Sequence, residues 1–132
     1  MEGLQLSHKN SPKKFALNMS AAQFTKFYIL HLLQTKPSGM ISEHFKEEFK
    51  KIGGQWVPAP STLLDTLHDM TNDGLLSRRD SYKSLEKRRQ RIYYYSLTEQ
   101  GKEEFDILKK KYLILFQEQK EIIERILKTV FN

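Results

Sequence analysis

The sequence predicts a mainly α-helical protein with a small two-stranded β wing (an α+β winged helix-turn-helix), followed by one long C-terminal helix. Three observations predict it. Between Trp56 and Gly101 a helical pattern gives way to two runs rich in β-branched and aromatic residues, with a cationic segment between them. The charge is concentrated there too: residues 75–97 hold seven basic and two acidic side chains, which is +5 of the chain's net +6. After Gly101 the chain runs to its last residue without glycine or proline, keeping an apolar seam at helical spacing.

Taken in order, residues 1–18 lack periodicity and contain Gly3, Asn10, Ser11 and Pro12. They read as a flexible basic arm, with Lys9, Lys13 and Lys14 within reach of a phosphate backbone. The rest divides into a winged helix-turn-helix over 19–97 and a C-terminal dimerisation helix over 98–132. Ser20 suits an N-cap, and the helix it starts reaches about Thr35. Phe24, Phe27, Tyr28, Ile29, Leu30, Leu32 and Leu33 occupy more than half its circumference. Such a helix needs cover on two sides, one from its own domain and one from a partner helix. Lys36-Pro37-Ser38-Gly39 stops it.

A second helix runs from about Ser42 to Lys51, with Phe45, Phe49 and Ile52 on one face, and Gly53-Gly54 closes it. Trp56 is expected to plug the corner that follows. Residues before proline avoid the α region, so Trp56 to Pro60 is extended, and Pro60 suits the first turn of a third helix. Leu63, Leu67 and Met70 form its apolar stripe, and Asn72-Asp73-Gly74 ends it. Leu75–Arg79 and Ile92–Leu97 read as strands, with Asp80–Arg91 as a loop too polar to bury. In the second strand Tyr93 and Tyr95 share one face and Tyr94 takes the other. Thr98 is the expected N-cap of the last helix, with Glu99, Glu103 and Glu104 at its positive end. Phe105, Leu108, Tyr112, Leu115, Gln119, Ile122 and Ile126 then step by three and four, a seam in which one polar residue can fix register.

Several function classes are excluded by what is missing. Without cysteine there is no disulfide framework, thiolate metal site or cysteine nucleophile. His8, His31, His44 and His68 do not fall at metal-ligand spacings, and no nucleophile elbow, phosphate-cradling loop or dinucleotide fingerprint occurs. The expectation is a protein that is not an enzyme and needs no cofactor or metal. No apolar run approaches the ~20 residues that span a bilayer, and no secretory h-region follows the N-terminal lysines. A cytoplasmic protein with no membrane partner is expected.

Concentrated positive charge on a ribbon beside a recognition-type helix is the footprint of a nucleic-acid binder. Ser61, Thr62 and Thr66 are the candidates for the major groove. Arg78, Lys83, Lys87, Arg88, Arg89 and Arg91 are the candidates for phosphates or a narrow minor groove. Phe24, Phe27, Phe105, Leu108, Tyr112, Leu115, Gln119, Ile122 and Ile126 are the candidate dimer interface. A homodimer would hold two third helices about 34 Å apart over a pseudo-palindromic double-stranded DNA site. Two other readings stay open: a protein-interaction module that binds a different chain through its long helix, and an RNA-binding protein.

Gly53-Gly54-Gln55-Trp56-Val57-Pro58-Ala59-Pro60-Ser61-Thr62-Leu63, then Gly74-Leu75-Leu76, then Tyr93-Tyr94-Tyr95-Ser96-Leu97-Thr98-Glu99-Gln100-Gly101 resemble the PadR family of bacterial transcriptional regulators. The resemblance covers about residues 25–110. It implies a dimeric winged-helix repressor whose C-terminal helix crosses to the partner, and, in many members, a small aromatic or drug-like inducer. Phe24, Tyr28 and Tyr112 are the expected lining of such a pocket. The chain departs from the family pattern at Ser38, Met40, Ala59, Ser61 and Leu64-Asp65, which shifts the expected phosphate contacts. The plan of wing plus C-terminal helix is also similar to the replication terminator proteins of Gram-positive bacteria, which bind DNA as winged-helix dimers without an inducer.

Overall fold

The computed structural model describes residues 19–54, 56–85 and 88–132, with the backbone alone at 83–85 and 88. The expected arm at 1–18, Gln55 and Lys87 lie outside the described residues. In chain order the elements are α1 (Ala21–Leu33), α2 (Ser42–Gly53), α3 (Pro60–Asn72), β1 (Leu76–Leu85), β2 (Arg88–Leu97) and α4 (Glu99–Val130).

Each helix begins and ends where its local chemistry directs. Ser20 caps α1 reciprocally: its Oγ accepts from the Gln23 amide at 3.0 Å, and the Gln23 side chain accepts from the Ser20 amide at 2.8 Å. The α-helix ends at Leu33, slightly short of Thr35, because the amides of Gln34 and Lys36 bond to carbonyls three residues back and tighten the chain toward Pro37. Pro60 occupies the first turn of α3, and Gly74 follows its end at φ +81°. Thr98 ties three pieces together. Its hydroxyl lies 2.7 Å and 2.9 Å from the carbonyls of Gly74 and Leu75, and it accepts from the Gly101 amide at 3.0 Å. A Cβ at Gly101 would collide with the Leu75 carbonyl, so this close approach requires glycine.

The ribbon is longer than the sequence reading. β1 and β2 pair antiparallel without interruption from Leu76↔Leu97 to Leu85↔Arg88, so most of the expected loop at Asp80–Arg91 is strand. Polarity misled because a two-stranded ribbon with water on both faces has no apolar alternation to show. Backbone pairing and cross-strand side-chain contacts hold it instead. At its base the Met40 amide donates to the Tyr95 carbonyl at 3.0 Å and the Tyr95 amide to the Met40 carbonyl at 2.9 Å. That pairing brings Gly39 so close that a Cβ there would sit 2.7 Å from the Tyr95 carbonyl oxygen.

Residues 20–109 form one compact unit. Ile29, Leu30, Phe45, Phe49, Leu63 and Leu67 are wholly buried in it, each contributing about 1.5–3 kcal/mol by leaving water. Phe24, Tyr28, Phe49 and Trp56 form an aromatic cluster, in which Trp56 packs edge-on against Phe24 and Phe49 at 5.8 and 6.1 Å. Trp56 remains 40% exposed, so it lids the corner after α2 rather than filling it. Phe27 stacks on Phe105 at 5.6 Å, and Lys26 reaches Glu104 at 2.9 Å, fixing the start of α4 against α1.

The second unit holds residues 110–132 and Met19. Within it Tyr112 is buried and packs edge-on to Phe116 at 6.4 Å. Leu115, Gln119, Ile122 and Ile126 are half-buried, while Leu113, Ile114, Ile123, Leu127, Val130 and Phe131 are exposed.

Candidate nucleic-acid interface

α3 supplies one half of the candidate site. Leu63, Leu67 and Met70 turn it into the core, which leaves Ser61, Leu64, Asp65, His68 and Asp69 outward. Ala59 is its N-cap and no side chain bonds there, so the first-turn amides are open to an anion. Thr62 is half-buried at this end. Thr66 lies elsewhere: it is 9% exposed, and its hydroxyl donates to the Thr62 carbonyl at 2.6 Å. The helical period, with Met70 four residues on, places Thr66 on the inner side. α3 has no Lys or Arg, and Asp65 and Asp69 make it acidic.

The wing supplies the charge, and its register explains how the charge is held. Arg78 sits over the Tyr93 ring at 4.3 Å, and Arg79 over Tyr94 at 4.5 Å. Farther out, Arg89 and Arg91 lie 4.4 and 6.0 Å from the Tyr82 ring. Each contact joins residues on facing strands, because β1 and β2 set Arg79 opposite Tyr94, Tyr82 opposite Arg91, and Asp80 opposite Tyr93. Stacked guanidinium groups keep their outward N–H donors while losing rotational freedom. Arg91 also comes within 3.5 Å of the Tyr82 hydroxyl, and its contacts with Tyr82 and Tyr93 push its pKa still higher. Arg78 has Asp80 at 3.9 Å, so part of its charge is balanced locally.

Of the residues expected on DNA, Arg78, Arg89 and Arg91 share the ribbon with exposed guanidinium groups. Lys83 and Arg88 are strand residues opposite Gln90 and Leu85. Sequence reasoning missed Arg79, which is exposed, stacks on Tyr94 and reaches the Ser38 carbonyl at 3.5 Å. The pairing of an Arg-Arg strand with a Tyr-Tyr-Tyr strand was the signal that could have found it. Tyr95 is the core tyrosine of the three, 7% exposed, and burial raises its pKa against the opposing pull of Arg78. Between α3 and the wing lies a groove of about 140 Å³, lined by Ser42, Glu43, Leu64, Gln90, Arg91 and Tyr93 among others.

The other expected sites are distributed differently. Phe27 and Phe105 stack on each other, and Leu108 and Tyr112 are buried. Phe24 and Tyr28 stack at 5.6 Å within the aromatic cluster. Among the described residues no helix is long and apolar enough to cross a membrane, and no group of three His, Cys, Asp or Glu could hold a metal ion.

Three helices, a cationic two-stranded ribbon and a long following helix define a winged helix-turn-helix protein. Solved structures share that fold. A protein assigned as a transcriptional regulator from Thermoplasma acidophilum matches with TM-score 0.61 at 23% identity, over 83% of this chain and 93% of that one. A PadR-like transcription factor from Bacteroides fragilis matches with TM-score 0.56 at 21% identity, over 80% and 91%. A PadR family transcription regulator from Clostridium difficile matches with TM-score 0.52 at 16% identity, over 83% and 99%. At these identities the likeness concerns the fold. No curated protein matches. The family model of the replication terminator protein matches residues 14–131, and the chain belongs to that family.

Proposed function

We propose that this chain is a sequence-specific double-stranded DNA-binding regulator that acts as a homodimer on a pseudo-palindromic site. The observation that carries the reading is the wing: Arg78, Arg79 and Arg89, each stacked on a tyrosine, with Arg91 near the same Tyr82 ring as Arg89, on a ribbon beside an outward-facing helix. The wing arginines track phosphates or enter a minor groove, while the first turn of α3 with Ser61 and Thr62 enters the major groove. The dimer reading draws support from α4, where six large apolar side chains are exposed, Ile107, Leu113, Ile114, Ile123, Leu127 and Val130, with exposed Phe131 directly after it. A second copy of the helix would cover part of that surface.

In this proposal the bound dimer represses transcription by occupying its site. Family membership over residues 14–131 favours a second reading, in which the bound dimer arrests replication forks. A small aromatic or drug-like inducer, the remaining expectation, has to compete with rings already packed on one another at Phe24, Tyr28, Phe49 and Trp56.

The test is binding of the purified chain to random and genomic duplexes at two salt concentrations, with its mass measured first. The expected result is a dimer that selects an inverted repeat and loses affinity steeply with salt. No retention of duplex at ~50 mM salt, where several phosphate contacts bind strongly, overturns the proposal. Placing the selected site first between a promoter and a reporter, then in a replicating plasmid, separates repression from fork arrest.

A further inference from the structure

We infer that Leu64 reads the 5-methyl group of a thymine in the major groove; this rests on the duplex-binding reading above. α3 has three leucines, and two of them, Leu63 and Leu67, are wholly buried. Leu64 is 51% exposed, on the outward side with Ser61 one turn before it and His68 one turn after. A lone exposed leucine is ordinary on a protein surface. This one lines the groove at the foot of the wing together with Ser42 and Glu43 at the start of α2 and Gln90, Arg91 and Tyr93 of the cationic strand β2.

The chemistry of that face narrows the choice of base. With no Lys or Arg in α3, the commonest specific contact, a cationic side chain on guanine O6 and N7, is unavailable to it. In its first two turns the exposed side-chain groups beyond Pro60 are a hydroxyl at Ser61, an aliphatic side chain at Leu64 and a carboxylate at Asp65, with His68 and Asp69 following on the same side. In the major groove the thymine methyl is the base-edge group that favours an aliphatic neighbour. Phosphate oxygens are poor company for Leu64, and they are repelled by Asp65 beside it. Both effects turn this part of α3 toward base edges, where Asp65 can accept from an exocyclic amino group.

The experiment selects duplexes from a random pool with the full chain, then replaces each thymine of the selected site singly by deoxyuridine, which lacks only the methyl. One thymine per half-site should lose about fourfold in affinity on replacement, the worth of one buried methyl at ~0.8 kcal/mol. Leu64→Ala should bind thymine and uracil forms of that position equally, with an unchanged circular dichroism spectrum. Leu64→Met, which keeps an aliphatic side chain, should retain the preference. If the wild type binds its site and no single replacement weakens it, or if Leu64→Ala still discriminates, the inference is overturned and duplex binding stands. A chain that selects no duplex overturns both.

Discussion

Arg89 and Arg91 show what single residues contribute here. Both are exposed, and both are held near the Tyr82 ring. Replacing the two by alanine should weaken binding to every duplex alike and lower the slope of log affinity against log salt by about two, since each phosphate contact adds ~0.9. Filter binding across a salt series on specific and random DNA reads this. An unchanged slope removes the wing from the interface. Tyr95 makes a different prediction. Burial disfavours its phenolate, so its folded pKa lies above the unfolded value near 10. The stability tied to its neutral form is complete below that value and is lost as pH rises through the folded pKa. Urea midpoints should therefore fall less between pH 9 and pH 11 in Tyr95→Phe than in the wild type. An equal fall in both would show that Tyr95 does not titrate on unfolding.

At the scale of elements, the junction of α3, β1 and α4 rests on Thr98 and Gly101. Thr98→Val keeps the shape but removes the cap and the hydroxyl that meets Gly74 and Leu75. It should cost about 1–2 kcal/mol in urea unfolding. Gly101→Ala should cost more, because its Cβ meets the Leu75 backbone and no side chain can turn aside. These residues were legible as a cap and a helix start, since capping is local chemistry. That the same hydroxyl also joins the turn at Gly74 was not legible, because the partner lies more than twenty residues away. The ribbon illustrates the converse. Its base was visible in Leu75-Leu76 and Tyr93-Tyr94-Tyr95, whereas its outer half reads as polar loop until the register of β1 with β2 is known.

For the whole molecule, the proposed dimer places its weight on the last turns of α4. Ile122→Asp combined with Ile126→Asp sets two charges on the half-buried side of that helix. Light scattering should then report one chain in place of two, and affinity for the inverted repeat should drop toward that of a single half-site. A double variant that remains dimeric would move the interface away from this seam. The comparison with known proteins also acts at this scale. The motifs around Trp56 resemble PadR regulators, and the fold is shared with them. The family match instead spans 14–131, including the long helix, and it falls on the replication terminator protein.

The sequence by itself determined the order of elements, the caps and stops, the core stripe of α3 and the buried pair Phe45 and Phe49 of α2, though not Ile52, which is 54% exposed, and the concentration of charge between residues 75 and 97. All of these depend on neighbours a few residues apart, through helical or strand periodicity and backbone preference. Only the tertiary structure decided that Trp56 stays at the surface, that Phe27 takes Phe105 as its partner, and that Arg78, Arg79 and Arg89 each lie on a tyrosine. Those outcomes depend on which distant side chain arrives opposite, and that is set by helix packing and strand register rather than by any local pattern.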